Sequence, residues 1–259
     1  MAAAYTLWNK HMRKSLANPK EMFGLAIQPI LWVVLFGVGM KGMMDPAMPG
    51  VGDAYITFMV PGIVALSALG GAVGGGSVWL TERLRGIVKE YLVAPIPRLS
   101  ILMGNALSTV TKSLFQAVII LIVGLLMGAR LSANPLGWLG GLVITAIYGL
   151  GFSGIALATA SSTDNPGAYH AMIMLLNLPL LFLSNALYPL DSLPTWMRVG
   201  ALVNPTSYVI DGVRQMMLKD GAALADGSVL PLWLCWLVVA VFAGLGMMMA
   251  YSAFRKSLR

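Results

Sequence analysis

The chain has 259 residues, 58% of them hydrophobic and 10% charged, with a mean hydropathy of +0.80 and a formal charge of +7. A soluble domain carries about a quarter charged residues. Here the charges are clustered, and the gaps between them exceed the roughly 20 apolar residues a helix needs to cross a bilayer. A soluble domain is thereby excluded in favour of an all-α, polytopic membrane protein. The single cysteine, Cys235, excludes an internal disulfide and a cysteine-built metal cluster. The two histidines, His11 and His170, lie too far apart in sequence for a His-rich metal tract. The excess of positive charge is set against the membrane before any nucleic acid, and no nucleic-acid partner is expected.

In chain order, Lys10, Arg13, Lys14 and Lys20 come late, and no small-residue cleavage site ends the apolar run after them, so a cleaved signal peptide is not expected. Tyr5, Trp8, Met12 and Leu16 are spaced 3, 4 and 4 apart on one helical face. Residues 4–17 are predicted to form an amphipathic helix in the membrane interface, broken by Asn18-Pro19. Six spans are predicted: 22–40, 54–80 with Pro61 as a kink, 101–129, one within 131–163, 166–188 with Pro179 inside it, and 229–254. The whole chain, 1–259, reads as one transmembrane domain with helices 1 and 2 over 22–80 and helices 3 to 5 over 101–188.

With the amino terminus inside, the inner segments hold twelve Lys and Arg and the outer ones five. That bias places both termini and residues 81–98 in the cytoplasm of a multi-pass plasma-membrane protein. The long outer connection, 189–226, carries helically spaced Leu193, Trp196 and Met197, then Val209, Val213, Met216 and Met217. It is predicted to form short amphipathic re-entrant helices separated by Asn204-Pro205. Backbone at that depth must be buried in protein or line a cavity.

Some motifs carry less than they suggest. Gly37 to Gly42 and Gly149 to Gly154 fit GxGxxG but fall in or at the end of spans, where no dinucleotide fold is expected. No GxxxxGK[ST] occurs, so the chain has no P-loop, is not expected to be an enzyme, and binds no ATP of its own. In "GGAVGGG", Gly70 with Gly74 and Gly71 with Gly75 form small-xxx-small pairs suited to close helix packing or to a hinge. Asn105, Thr109, Lys112 and Gln116 share one face of the third span. They line a substrate cavity or subunit interface, or else Lys112 snorkels to the surface and the others are incidental. His170, Asn177 and Ser184 make a weaker stripe on the fifth span. Ser153 within Gly-Phe-Ser-Gly, with His170 on the next helix, leaves open a rhomboid-like intramembrane serine protease.

Glu82 follows 28 uncharged residues, 54–81, and opens a dense knot of charge in residues 81–92. Leu84, Ile87, Val88 and Leu92 form an apolar stripe flanked by Glu82, Arg83, Arg85, Lys89 and Glu90, and Pro95 and Pro97 end the helix. Such a helix can press into a groove on a partner, or it can be an ordinary surface loop.

Val60-Pro61-Gly62, then Glu82-Arg83 and "LVAPIPRLSILMGNAL" (92–107), and "LSNALYPLDSLPTWMRVGALVNPTSYVIDGVR" (183–214), resemble the membrane-spanning subunits of type-2 ABC (ATP-binding-cassette) exporters, in their drug-exporter-like branch. The resemblance implies that 81–92 is a coupling helix seated in a separate cytoplasmic ATPase, through Glu82, Arg83, Leu84, Arg85, Ile87, Val88 and Lys89. ATP and magnesium would sit on that partner. Two ATPases and a second permease copy, as a homodimer, would complete the complex, with Pro61, Gly70, Gly71, Gly74 and Gly75 as hinge and packing points. Cargo would be a small amphipathic compound or lipid moved outward. A polymer such as polysaccharide is the alternative, although no aromatic ladder marks one. A membrane scaffold that merely holds an ATPase-like partner is the remaining reading. Replacing Glu82, Arg83 or Arg85 is expected to uncouple hydrolysis from export with little loss of folding.

Overall fold

The computed structural model of the chain describes residues 2–43, 51–94, 96–187, 194–218 and 230–256. In order, the helices are α1 (Ala2–Leu16), α2 (Pro19–Met43), α3 (Val51–Leu84), α4 (Ile87–Val93), α5 (Arg98–Leu126), α6 (Pro135–Ser162), α7 (Pro166–Phe182), α8 (Thr195–Val203), α9 (Pro205–Met217) and α10 (Leu232–Lys256). The described non-helical pairing is one antiparallel bridge, Leu131 to Leu218.

Four Asn-Pro dipeptides open four of these helices: α2, α6, α7 and α9. Proline suits the first helical position because its missing N–H has no partner there anyway. The asparagine carboxamide then caps the N–H groups that follow. Asn134 accepts from Leu136 N at 3.1 Å, Asn165 from Gly167 N at 2.8 Å, and Asn204 from Thr206 N at 2.9 Å. Asn18 and Asn204 therefore act as helix starts as well as breaks.

α3 is the central element. Most of it is buried, with α2, α5, α6, α7 and α9 packed around it. α6 carries the other main seam, against α10. A Cβ on Gly154 would lie 2.2 Å from the Gly246 carbonyl, and one on Gly246 would lie 2.2 Å from the Gly151 carbonyl. Bare glycine on both sides lets the two backbones touch, as membrane helices require when apolar burial cannot drive their association. The second GxGxxG is thus a packing seam.

Five helices are long and apolar enough to cross a membrane: Pro19–Gly39, Tyr55–Leu84, Arg98–Leu126, Pro135–Ser162 and Leu232–Arg255. The predicted fifth span, 166–188, departs from expectation. Its helix, α7, has 17 residues. The chain then leaves helical geometry at Leu183 and runs through Ser184 to Leu187, which are buried. Asn204 explains the early end. Its Nδ2 donates to the carbonyls of Leu180 and Leu183, at 2.9 and 2.6 Å, and so satisfies acceptors that more helix would otherwise have used.

The predicted helix over 81–92 is two pieces. α3 continues to Leu84, and α4 starts after Gly86, whose φ of 79° is left-handed and strained for any residue with a Cβ. Part of the predicted outer connection, 189–193 and 219–226, lies outside the described residues, as does Pro95. Its described part forms α8 and α9 on either side of Asn204-Pro205, as the spacing predicts.

Gly154→Ala is expected to lower the melting temperature of the purified protein, at a cost of about 1–3 kcal/mol from overpacking. Gly74→Ala has no atom within 4 Å of its new methyl and is expected to be neutral or to stabilise by up to about 1 kcal/mol. Thermal unfolding in one detergent compares the two.

Candidate functional site

At one end of the bundle the last turn of α3 gathers charge. Glu82 is buried and accepts from Lys10 Nζ of α1 at 3.1 Å and from the Tyr91 hydroxyl of α4 at 3.2 Å. Lys10 also donates to the Tyr91 oxygen and lies 4.9 Å from the centre of its ring. Burial alone would lower the Lys10 pKa, but its hydrogen bonds to Tyr91 and Glu82 overcome this and hold it above the usual lysine value. Arg83 donates to the carbonyls of Ser161 and Thr163 and to the Asp164 carboxylate, which fastens α3 to the turn between α6 and α7. One turn earlier, Trp79 Nε1 donates to Ser161 Oγ at 3.0 Å, and its ring meets Phe254 of α10 edge-on at 5.5 Å.

The predicted coupling residues therefore divide. Glu82 and Val88 are buried, and Arg83 and Ile87 are partly so. Leu84, Arg85 and Lys89 are exposed, together with Glu90 and Val93, the last at 88%. The expectation that Glu82 or Arg83 can be replaced with little loss of folding is corrected on this geometry. Each holds helices together: Glu82 is a buried carboxylate answered by Lys10 and Tyr91, and Arg83 donates to Ser161, Thr163 and Asp164 across to the α6–α7 turn. Arg85 alone of the three named charges is free of that objection.

The polar face of α5 also divides. Asn105 Nδ2 donates to the Gly75 carbonyl at 3.4 Å. A Cβ on Gly75 would fall 2.0 Å from Thr109 Oγ1, and one on Gly71 would fall 2.0 Å from Ser113 Oγ. Asn105 and Thr109 thus pack into the glycine face of α3. Lys112 donates to Glu21 Oε1 at 2.7 Å at the start of α2, and Ser15 Oγ donates to the same oxygen at 2.7 Å. Gly70 and Gly74, the other small pair, stand clear of this seam.

Gln116, Gly70 and Asn177 do meet. They line a cavity of about 180 Å³ between α2, α3, α5 and α7, with Gln28 and Trp32 from α2 and Leu178 from α7. Gln116 is buried, and its Nε2 donates to the Leu25 carbonyl at 2.8 Å.

The opposite end holds a cluster that spacing alone did not single out. Asp211 and Arg214, three residues apart on α9, are an ion pair at 3.5 Å with side chains 3% and 2% exposed. Arg214 Nη2 donates to the carbonyls of Asn185, at 2.6 Å, and Phe58, at 3.2 Å, and Nε donates to Phe58 at 3.3 Å. The guanidinium stacks 3.8 Å from the centre of the Phe58 ring. Asn185 Nδ2 donates to Asp211. The Phe58 carbonyl lies in the turn before Pro61. Beside it, a Cβ on Gly62 would fall 2.7 Å from the Ala186 carbonyl. Phe58, just before Val-Pro-Gly, is thus the seat on α3 for the guanidinium, and Gly62 is the seat for the irregular 183–187 segment. The signal for this cluster was opposite charges three apart on the same helical face as Ile210 and Met217.

The family model described as "ABC-2 type transporter" matches residues 2–218. The chain belongs to the ABC-2 type transporter family. It is 34% identical over 201 residues to the putative transport permease ycf38 of Porphyra purpurea, covering 76% of this chain and 67% of that protein. It is 24% identical over 227 residues to the daunorubicin resistance ABC transporter permease protein DrrB1 of Streptomyces coeruleorubidus, covering 88% and 76%. It is 26% identical over 210 residues to the probable multidrug ABC transporter permease YbhR of Escherichia coli (strain K12), covering 79% and 54%.

Ser153 is buried inside α6 with no hydrogen-bond partner, while His170 is exposed on α7 beside the Tyr169 ring. No Ser–His pair forms, and the rhomboid-like reading is withdrawn.

Arg214→Met is expected to cost about 3–5 kcal/mol by leaving Asp211 buried and unpaired. Adding Asp211→Leu should recover part of that loss. Melting temperatures of the two single variants and the double variant check the cycle.

Proposed function

We propose that the chain is the permease subunit of an ATP-driven exporter. The observation that carries this reading is α4. It is tied to α1 and α3 through Tyr91, Lys10 and Glu82, while Leu84, Arg85, Lys89 and Val93 stand uncovered on the same end. A short helix that is fastened on one face and leaves Lys89, Glu90 and Val93 exposed suits the groove of a partner. The partner in this reading is a cytoplasmic ABC ATPase, which carries ATP and magnesium.

The charged end would then face the cytoplasm of the plasma membrane, with both termini inside. α7 would complete six spans, with residues 183–187 finishing its crossing inside protein. α8 and α9 would be the outer re-entrant pair. A second copy of the chain would complete the translocation path, with two ATPases. When the ATPases close, each would displace α4. Gly86 lets α4 turn on α3, while Tyr91 pulls Glu82 and α1 with it, and Arg83 carries the displacement to the α6–α7 turn. Similarity to permeases named for daunorubicin resistance and multidrug transport supports a small amphipathic, drug-like cargo over a polymer.

Arg85→Glu with Lys89→Glu is expected to lower the ATPase co-purifying with the tagged chain by about tenfold or more, with unchanged melting. Tyr91→Phe keeps the exposed face intact and removes the hydroxyl's bonds to Glu82 and Lys10. It is expected to retain the ATPase but to lose most transport-coupled hydrolysis. A wild-type chain that is folded yet brings down no ATPase would overturn the reading.

A further inference from the structure

We propose that the cavity between α2, α3, α5 and α7 binds an uncharged group that donates a hydrogen bond to Gln116 Oε1. Gln116 is 3% exposed, and its Oε1 has no partner. The amide cannot be turned over to relieve this, because the Leu25 carbonyl accepts only from the Nε2 side, at 2.8 Å. A desolvated acceptor without a donor is costly, and a ligand that supplies the donor recovers that cost.

The surrounding groups set the class of ligand. None of the residues lining the cavity is Asp, Glu, Lys, Arg or His, so an ionised group would enter without a counter-charge. Ser67, also on the wall, already gives its hydroxyl proton to the carbonyls of Val64 and Ser113, and so cannot satisfy Gln116. Gly70 keeps the space beside Oε1 open: a Cβ there would lie 3.8 Å from that oxygen. Trp32 and Leu178, on the wall and 39% and 45% exposed, put the opening sideways between α2 and α7, on the face a lipid-dissolved molecule reaches. The geometry selects a neutral amphiphile with a hydroxyl or amide N–H on an apolar ring system or chain. It rests on the permease reading only in treating that molecule as cargo.

The test is equilibrium binding to the full-length chain in phosphatidylcholine nanodiscs, with empty nanodiscs subtracted. The probes are 2-naphthol and 2-methoxynaphthalene, which share a ring system but differ in the donor. Wild type is expected to bind 2-naphthol saturably and the methyl ether about tenfold more weakly. Gln116→Met should remove the preference by weakening only 2-naphthol. Gly70→Val should weaken both probes by filling the space beside Oε1. Equal binding of the probes by wild type, a preference that survives Gln116→Met, or unchanged binding by Gly70→Val would each overturn the proposal. If Gln116→Met fails to fold, the wild-type comparison and Gly70→Val still decide. No ATPase enters the assay, so a chain that shows the preference but holds no ATPase refutes the permease reading alone.

Discussion

A polar group inside a membrane protein must find its partner within the protein, because lipid offers none. α3 meets this constraint at both ends, and the rest of the bundle is arranged around the solutions. At one end Glu82 and Arg83 are answered by α1, α4 and the α6–α7 turn. At the other, the carbonyl of Phe58 is answered by Arg214 of α9. Between them, the glycine face of α3 receives the hydroxyls and amide of α5. The two ends are thus fastened by charge and the middle by close backbone approach, which is the order that the local dielectric favours.

The two small-residue pairs in 70–76 show how similar sequence spacing serves different ends. Gly71 and Gly75 are occupied by Ser113 and Thr109, so they are spent on packing. Gly70 and Gly74 lie on the neighbouring face and are left open. One stretch of helix thereby supplies both a seam and one wall of a cavity. Gln116 stands where these two uses meet, since its amide nitrogen ties α2 while its oxygen is left over.

The long elements were legible because apolar runs and their breaks are local properties. α2, α3, α5, α6 and α10 fall within a few residues of their predicted bounds, and the helical pairs around Asn204-Pro205 appear as the spacing suggests. What the sequence hid is decided by contact between distant segments. No local feature says that Lys112 will meet Glu21, or that Glu82 will turn inward to Lys10 and Tyr91, and so a face read as exposed charge became half structural. α7 ends early because Asn204, more than twenty residues on, takes its carbonyls. Gln116 and Asn177 were legible as intramembrane polar residues, but their meeting in one cavity depends on four helices at once.

α3 runs unbroken through Pro61 for 34 residues, from Val51 to Leu84. At 1.5 Å per residue that is about 51 Å, well beyond the roughly 30 Å of hydrocarbon it crosses. The stretch from Pro61 to Glu82 alone is about 32 Å long. A bend of about 10° at the proline would sweep the Glu82 end sideways by about 5 Å, close to the pitch of one helical turn. The same arm works in reverse, so a displacement of that size at the charged end need cost the seat of Arg214 only a small change of angle.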